Sequence, residues 1–152
     1  MHTNIEIYKA IATEEFAKMC RLNSDGVKPS VDGSGYVISY DPNYASLKSA
    51  MIVISFTGMW LEALLHQVIV NKYGISEFEK ADRRNYESKL IMLGVHDESL
   101  LSQVKRFRET RKELVHEKAF QDLGSIKTAE EEASLANEVM RGIEQQLSDH
   151  RG

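Results

Sequence analysis

The chain has 152 residues, of which 42% are hydrophobic and 28% charged, with a net charge of -4. That length supports one domain with its own core, and the balance excludes a disordered or low-complexity chain. The lone Cys20 leaves no internal disulfide and no cysteine metal cluster, and the acidic balance confines any nucleic-acid contact to a local basic patch.

Taken in order, Met1 to Glu6 has no basic region followed by an apolar run, so no export signal is expected and the expected location is cytoplasmic. Asn4 to Leu22 carries Ile5, Tyr8, Ile11, Ala12, Phe16 and Met19 at helical spacing. Residues 23–41 then hold turn chemistry: Ser24-Asp25-Gly26, Lys28-Pro29 and Asp32-Gly33-Ser34-Gly35. Beside them Tyr36 to Tyr40 reads as a short strand, half of a small hairpin with Val27 to Val31. Asp41-Pro42 is an N-cap acid followed by proline at the first helical position, predicting a second helix to about Tyr73.

This second helix contains the most apolar stretch, Ala50 to Val70, which is long enough to raise the membrane question. Glu62, His66 and Gln67 interrupt it, and an acid at mid-membrane costs roughly 2.5–3.5 kcal/mol. The expectation is the central helix of a bundle, with no membrane. Ser76 and Glu79 have capping-box spacing for a third helix ending near Gly94. Asp97 can cap a fourth that stops before Gly124, and Thr128 with Glu131 suggests a fifth reaching about Leu147. The predicted class is all-α: one domain over 1–152, an up-and-down bundle of about five helices with a short hairpin-like insert after the first.

Arg111 breaks the pattern of the fourth helix. Leu100, Val104, Phe107, Leu114 and Val115 form its apolar stripe, and the period calls for a hydrophobe at 111. A guanidinium on that face costs desolvation energy unless it meets an acid, a phosphate or a subunit interface. His116 follows five positions later, about 140° around the helix and about 7.5 Å along it. The two cannot grip one small ligand side by side on a regular helix. A loosened helix near His116, or a second copy facing the first across a twofold axis, would bring them together. The plain alternative is that Arg111 pairs with an acid and His116 is a surface residue.

On the central helix Ser55, Glu62 and His66 lie along one line at offsets of seven and four, a polar seam on an apolar rod. Glu62 is the acid within reach of Arg111 if the two helices are neighbours, either as a structural partner or orienting the guanidinium toward a phosphate. Two basic clusters are present: Lys80, Arg83, Arg84 and Lys89, and Lys105, Arg106, Arg108, Arg111 and Lys112. Acids interleave both, as on an ordinary solvated face. Glu62 with His66 and Glu113 with His116 do not make the paired Glu-x-x-His set of a di-metal bundle, so no metal or other cofactor is expected. Phosphate-loop, dinucleotide-binding and serine-nucleophile motifs are missing from the sequence.

The segment Arg111-Lys112-Glu113-Leu114-Val115-His116 resembles the signature of the HEPN superfamily, an arginine followed four to six residues later by a histidine. Its setting late in the fourth helix, after Phe107-Arg108-Glu109-Thr110, adds to the likeness, as does the upstream apolar segment Phe56 to Leu65. The likeness in helix order covers about Asn43 to Leu147 and leaves the insert outside. It implies a helical bundle that dimerises around the motif helix, and in many members a metal-independent endoribonuclease, often a toxin with an antitoxin partner or part of phage defence. By that resemblance Arg111 would hold the scissile phosphate and His116 would serve as general base or acid. Glu62, Arg108, Lys112, Ser55 and His66 would be supporting or substrate-binding residues. Lys112 departs from the small polar residue that RNA-cleaving members commonly carry after the arginine: it adds a phosphate contact, or marks a member that binds without cutting. Other members are non-catalytic modules binding nucleotide, RNA or a partner protein.

Overall fold

A computed structural model describes residues 3–38, 43–115 and 123–149. These residues form six helices: α1 (Asn4–Asp25), α2 (Ala45–Tyr73), α3 (Ile75–Ala81), α4 (Tyr86–Met92), α5 (Glu98–Val115) and α6 (Leu123–Asp149). Thr3 starts α1 with a reciprocal capping box, its hydroxyl accepting from Glu6 N–H while Glu6 accepts from Thr3 N–H. Between α1 and α2, β1 (Val27–Pro29) and β2 (Tyr36–Ile38) pair antiparallel, with Val27 opposite Ile38 and Pro29 opposite Tyr36. In their turn Asp32 accepts from the Ser30 and Ser34 hydroxyls and from Ser34 N–H. These bonds, Ser30's first, hold its carboxyl down at about 2.

The centre of the bundle is α2, which packs against α1, α3, α5 and α6. Ala50, Val53, Ile54, Trp60, Leu61, Leu65 and Ile69 are each 1% exposed or less, too many around the rod for one stripe, as a helix surrounded by partners requires. By length and composition α2 is also the one described helix able to cross a bilayer, a test that a core helix meets equally. Polar ties fix its first turns: Ser49 donates to Glu15 of α1 at 2.8 Å, and Ser46 to Asn23 at 2.8 Å and to Glu130 of α6. On α5, Leu100, Val104 and Phe107 are buried as the stripe predicts, and Leu114 packs at its edge. Asp97 caps this helix by accepting from Leu100 N–H at 3.0 Å.

Several boundaries differ from the sequence expectation, including the count of about five helices. The expected third helix is two, α3 and α4, because Asn85 in extended conformation accepts from Ser88 N–H at 2.9 Å and restarts the helix. Ser76 is already inside α3, whose N-cap is Gly74 at φ 88°. The first helix runs three residues past Leu22 to Asp25. Helix α2 begins at Ala45 behind Tyr44, which has a left-handed backbone and no side-chain cap; Asp41 and Pro42 lie outside the described residues. Helix α6 begins at Leu123, so Thr128 is interior and not its cap.

Candidate functional site

Where α5 crosses α2, Arg111 occupies the position the apolar period reserves for a hydrophobe. It fits because α2 presents Gly58 there: a Cβ on Gly58 would lie 2.1 Å from Arg111 Nε and 2.4 Å from its Cδ. The side chain therefore lies directly against the backbone of α2, with its stem shielded and 24% of its surface exposed. Nη1 donates to Glu62 Oε1 at 2.6 Å and to the Tyr86 hydroxyl at 2.6 Å. Tyr86 in turn donates to Glu62 Oε1 at 2.8 Å, closing a triangle across α2, α4 and α5. Among the described residues, Arg111 Nε and Thr57 Oγ1 are buried without a hydrogen-bond partner. A guanidinium held purely for structure would be expected to satisfy that donor.

The expected pairing of Arg111 with Glu62 is thus made within the single chain, but it is not sealed. Glu62 is 52% exposed, so solvent screens the pair and its contribution to stability is about 0.5–1 kcal/mol. Three cations of the second basic cluster are tied to acids: Arg111 to Glu62, Arg108 to Glu87 and Arg106 to Glu132. The Arg108 contact is two-pronged, Nε to Oε2 and Nη2 to Oε1 both at 3.1 Å, and it joins α5 to α4. The Glu87 hydrogen bond raises the Arg108 pKa further. Lys112 is exposed on the last turn of α5.

Ser55 and His66 flank Glu62 on α2, yet no hydrogen bond joins either to Arg111. Ser55 is half-buried, and exposed His66 stands edge-on to Phe78 with ring centroids 4.4 Å apart. His116 lies outside the described residues, so the Arg111–His116 relation is not part of this geometry. Among the described residues no group of three or more His, Cys, Asp or Glu is placed to hold a metal ion. Beside the triangle a recess of about 360 Å³ opens, sharing Glu62 and Tyr86 with it and lined also by Arg108.

Two members of this arrangement escape sequence reasoning. Tyr86 is placed by the Asn85 cap, a helix start hidden in the sequence behind the capping-box spacing of Ser76 and Glu79. Gly58 carried a usable signal: an interior helical glycine costs about 1 kcal/mol against alanine, so its presence mid-helix points to a close approach.

Burial, then the hydrogen bond to Glu62, pushes the Tyr86 phenol above its ordinary value. A raised acid is protonated in the fold when the unfolded chain has already released its proton. Its stabilisation is therefore complete below about pH 10 and is lost as pH climbs toward the higher folded value. Denaturant midpoints should fall more steeply with pH above 10 in wild type than in Tyr86→Phe. At neutral pH the variant should be about 1–2 kcal/mol less stable. Parallel alkaline curves for the two proteins would contradict this.

Comparison with known protein families, curated proteins and solved structures finds no match to this chain. The geometry stands on its own residues.

Proposed function

We propose that the chain is a metal-independent endoribonuclease of HEPN type, acting as a homodimer in the cytoplasm. The observation that carries this reading is Arg111: a guanidinium on the packed face of α5, anchored through Nη1, with Nε unpaired beside Gly58. Nη1 is fixed by Glu62 and Tyr86 and Nε is buried, so Nη2, which makes no hydrogen bond among the described residues, is the donor left for a phosphate oxygen on a guanidinium already held in place. Glu62 and Tyr86 then act as positioning residues.

In the reaction the 2′-oxygen of a ribose forms a bond to phosphorus and the bond from phosphorus to the 5′-oxygen breaks. His116 serves as general base, taking the 2′-hydroxyl proton, or as general acid, giving one to the leaving oxygen, with water exchanging the other proton. Arg111 neutralises the phosphorane. The products are a 2′,3′-cyclic phosphate and a 5′-hydroxyl. Histidine suits this exchange because it titrates near neutrality. A toxin role with an antitoxin partner, or a role in phage defence, follows from the same resemblance.

The test is incubation of RNA with purified protein in EDTA. Cleavage leaving cyclic-phosphate ends, lost in His116→Ala with the dimer intact, is the expected result. The bonds from Arg111 to Glu62 and Tyr86 inside one protomer favour a second reading, a non-catalytic module binding nucleotide, RNA or a partner protein. RNA left uncut by wild type that nevertheless binds it selects that reading. Equal cutting by wild type and His116→Ala would overturn the assignment of His116.

A further inference from the structure

Lys89 is the anomaly of the α3–α4 corner. The residue is 7% exposed, yet among the described residues no carboxylate lies within ion-pair distance of its ammonium. Its Nζ donates to the Asp82 carbonyl at 2.8 Å and sits 5.5 Å from the centroid of the Phe78 ring. Its ammonium is thus held by a carbonyl and a ring face with no direct carboxylate partner among the described residues, and burying a charge without a direct counter-ion is costly.

Lys89 lines the 360 Å³ recess that shares Glu62 and Tyr86 with the Arg111 triangle. Arg84 stands exposed on the same rim with no ion pair among the described residues. Arg108 adds a third cation, though its Nε and Nη2 are bound to Glu87. Two acids also face the space. Glu62 is neutralised by Arg111, and Asp82 is an exposed acceptor. Cations at the wall, an aromatic ring and one free acceptor match the parts of a nucleotide: phosphate, base, and ribose hydroxyl or exocyclic amine.

We infer that this recess is a nucleotide subsite, in which Lys89 and Arg84 bind the phosphate adjacent to the one held by Arg111 on a single RNA strand. The inference rests on reading Arg111 as a phosphate ligand, and it adds a second point of contact that fixes the strand's direction across α4 and α5.

The test is equilibrium binding of a 2′-O-methyl oligonucleotide, which cannot be cut, to wild type, Lys89→Met, Arg84→Ala and Arg111→Met. The expected result is about a tenfold or greater loss of affinity in Lys89→Met and in Arg84→Ala. Each of these should also flatten the dependence of log K on log salt by about 0.7, the signature of one single-strand phosphate contact. Arg84 is exposed, so its variant carries the test even if Lys89→Met loses its fold. Affinities within twofold of wild type in both would overturn the subsite. Loss in Arg111→Met alone would do the same while leaving the ribonuclease reading in place. Loss in Lys89→Met and Arg84→Ala with Arg111→Met unchanged would keep the recess and overturn the role of Arg111. An oligonucleotide that wild type does not bind would remove both.

Discussion

Arg111→Met should yield a folded protein that cuts RNA about 10²–10³-fold more slowly than wild type. The two halves of that outcome come from different parts of the residue. Its stem lies along Gly58 on the stripe formed by Leu100, Val104 and Phe107, and an unbranched thioether of similar length can lie in the same channel. Methionine also removes the buried, unpaired Nε, an unfavourable group in the native fold. What is given up is the bond to Glu62, a half-exposed acid that water can solvate once the arginine is gone. Removing one partner of an ion pair is costly when it strands a buried charge, but Glu62 is half exposed, so stability should stay within about 1 kcal/mol of wild type. On the ribonuclease reading proposed above, the catalytic half follows from losing a fixed guanidinium that would meet developing charge on phosphorus, worth about 10²–10³ in rate for one such group. Denaturant unfolding and single-turnover cleavage in EDTA measure the two halves separately. A variant that cuts as fast as wild type ends the catalytic assignment. A variant that is folded only marginally means that the ion pair serves the fold.

The sequence signals that proved readable were those with one physical cause. An apolar run hydrophobic on all sides has to lie at the centre of a bundle, and α2 does. Asp97 lies where the apolar period of α5 begins, and it caps that helix. A lone cation in an apolar stripe has to find an acid, and Glu62 was the acid in reach. Patterns that failed were those in which two residues compete for one task. Ser76 and Glu79 have capping-box spacing, but Gly74 breaks the chain two residues earlier and leaves Ser76 inside the helix. Asn85 then ends the corner that the expected single helix ran through, and that break delivers Tyr86 to Arg111. Thr128 and Glu131 fit a cap equally well, yet α6 starts five residues before them. Spacing identifies a residue able to cap; which one does so depends on where the backbone leaves the helix, and tertiary contacts decide that.

Gly58→Ala should reverse its effect on stability according to what stands at position 111. In wild type the new methyl would lie 2.1 Å from Arg111 Nε and 2.7 Å from Cζ, both under any tolerable separation. These atoms lie in the middle of the side chain, so a small rotation of its end brings no relief. Arg111 has to leave the channel and give up its bonds to Glu62 and Tyr86, or α5 has to move off α2. Against this stands a helix-propensity gain of about 1 kcal/mol. Overpacking typically costs about 1–3 kcal/mol, and the lost pair adds to it, so the net change should be a destabilisation of about 1–2 kcal/mol. With Arg111→Ala the channel is empty, and the same Gly58→Ala change should stabilise by about 1 kcal/mol, since the propensity gain is then unopposed. The coupling between the two positions is therefore about 2–3 kcal/mol, well beyond the near-additivity of independent sites. Unfolding free energies of wild type, the two single variants and the double variant close the cycle. Additivity within about 0.5 kcal/mol would mean that Gly58 does not form the seat of Arg111. On the proposed ribonuclease reading, RNA cleavage by the singly substituted Gly58→Ala protein should fall as far as in Arg111→Met, because a guanidinium expelled from the channel keeps its charge and loses its aim.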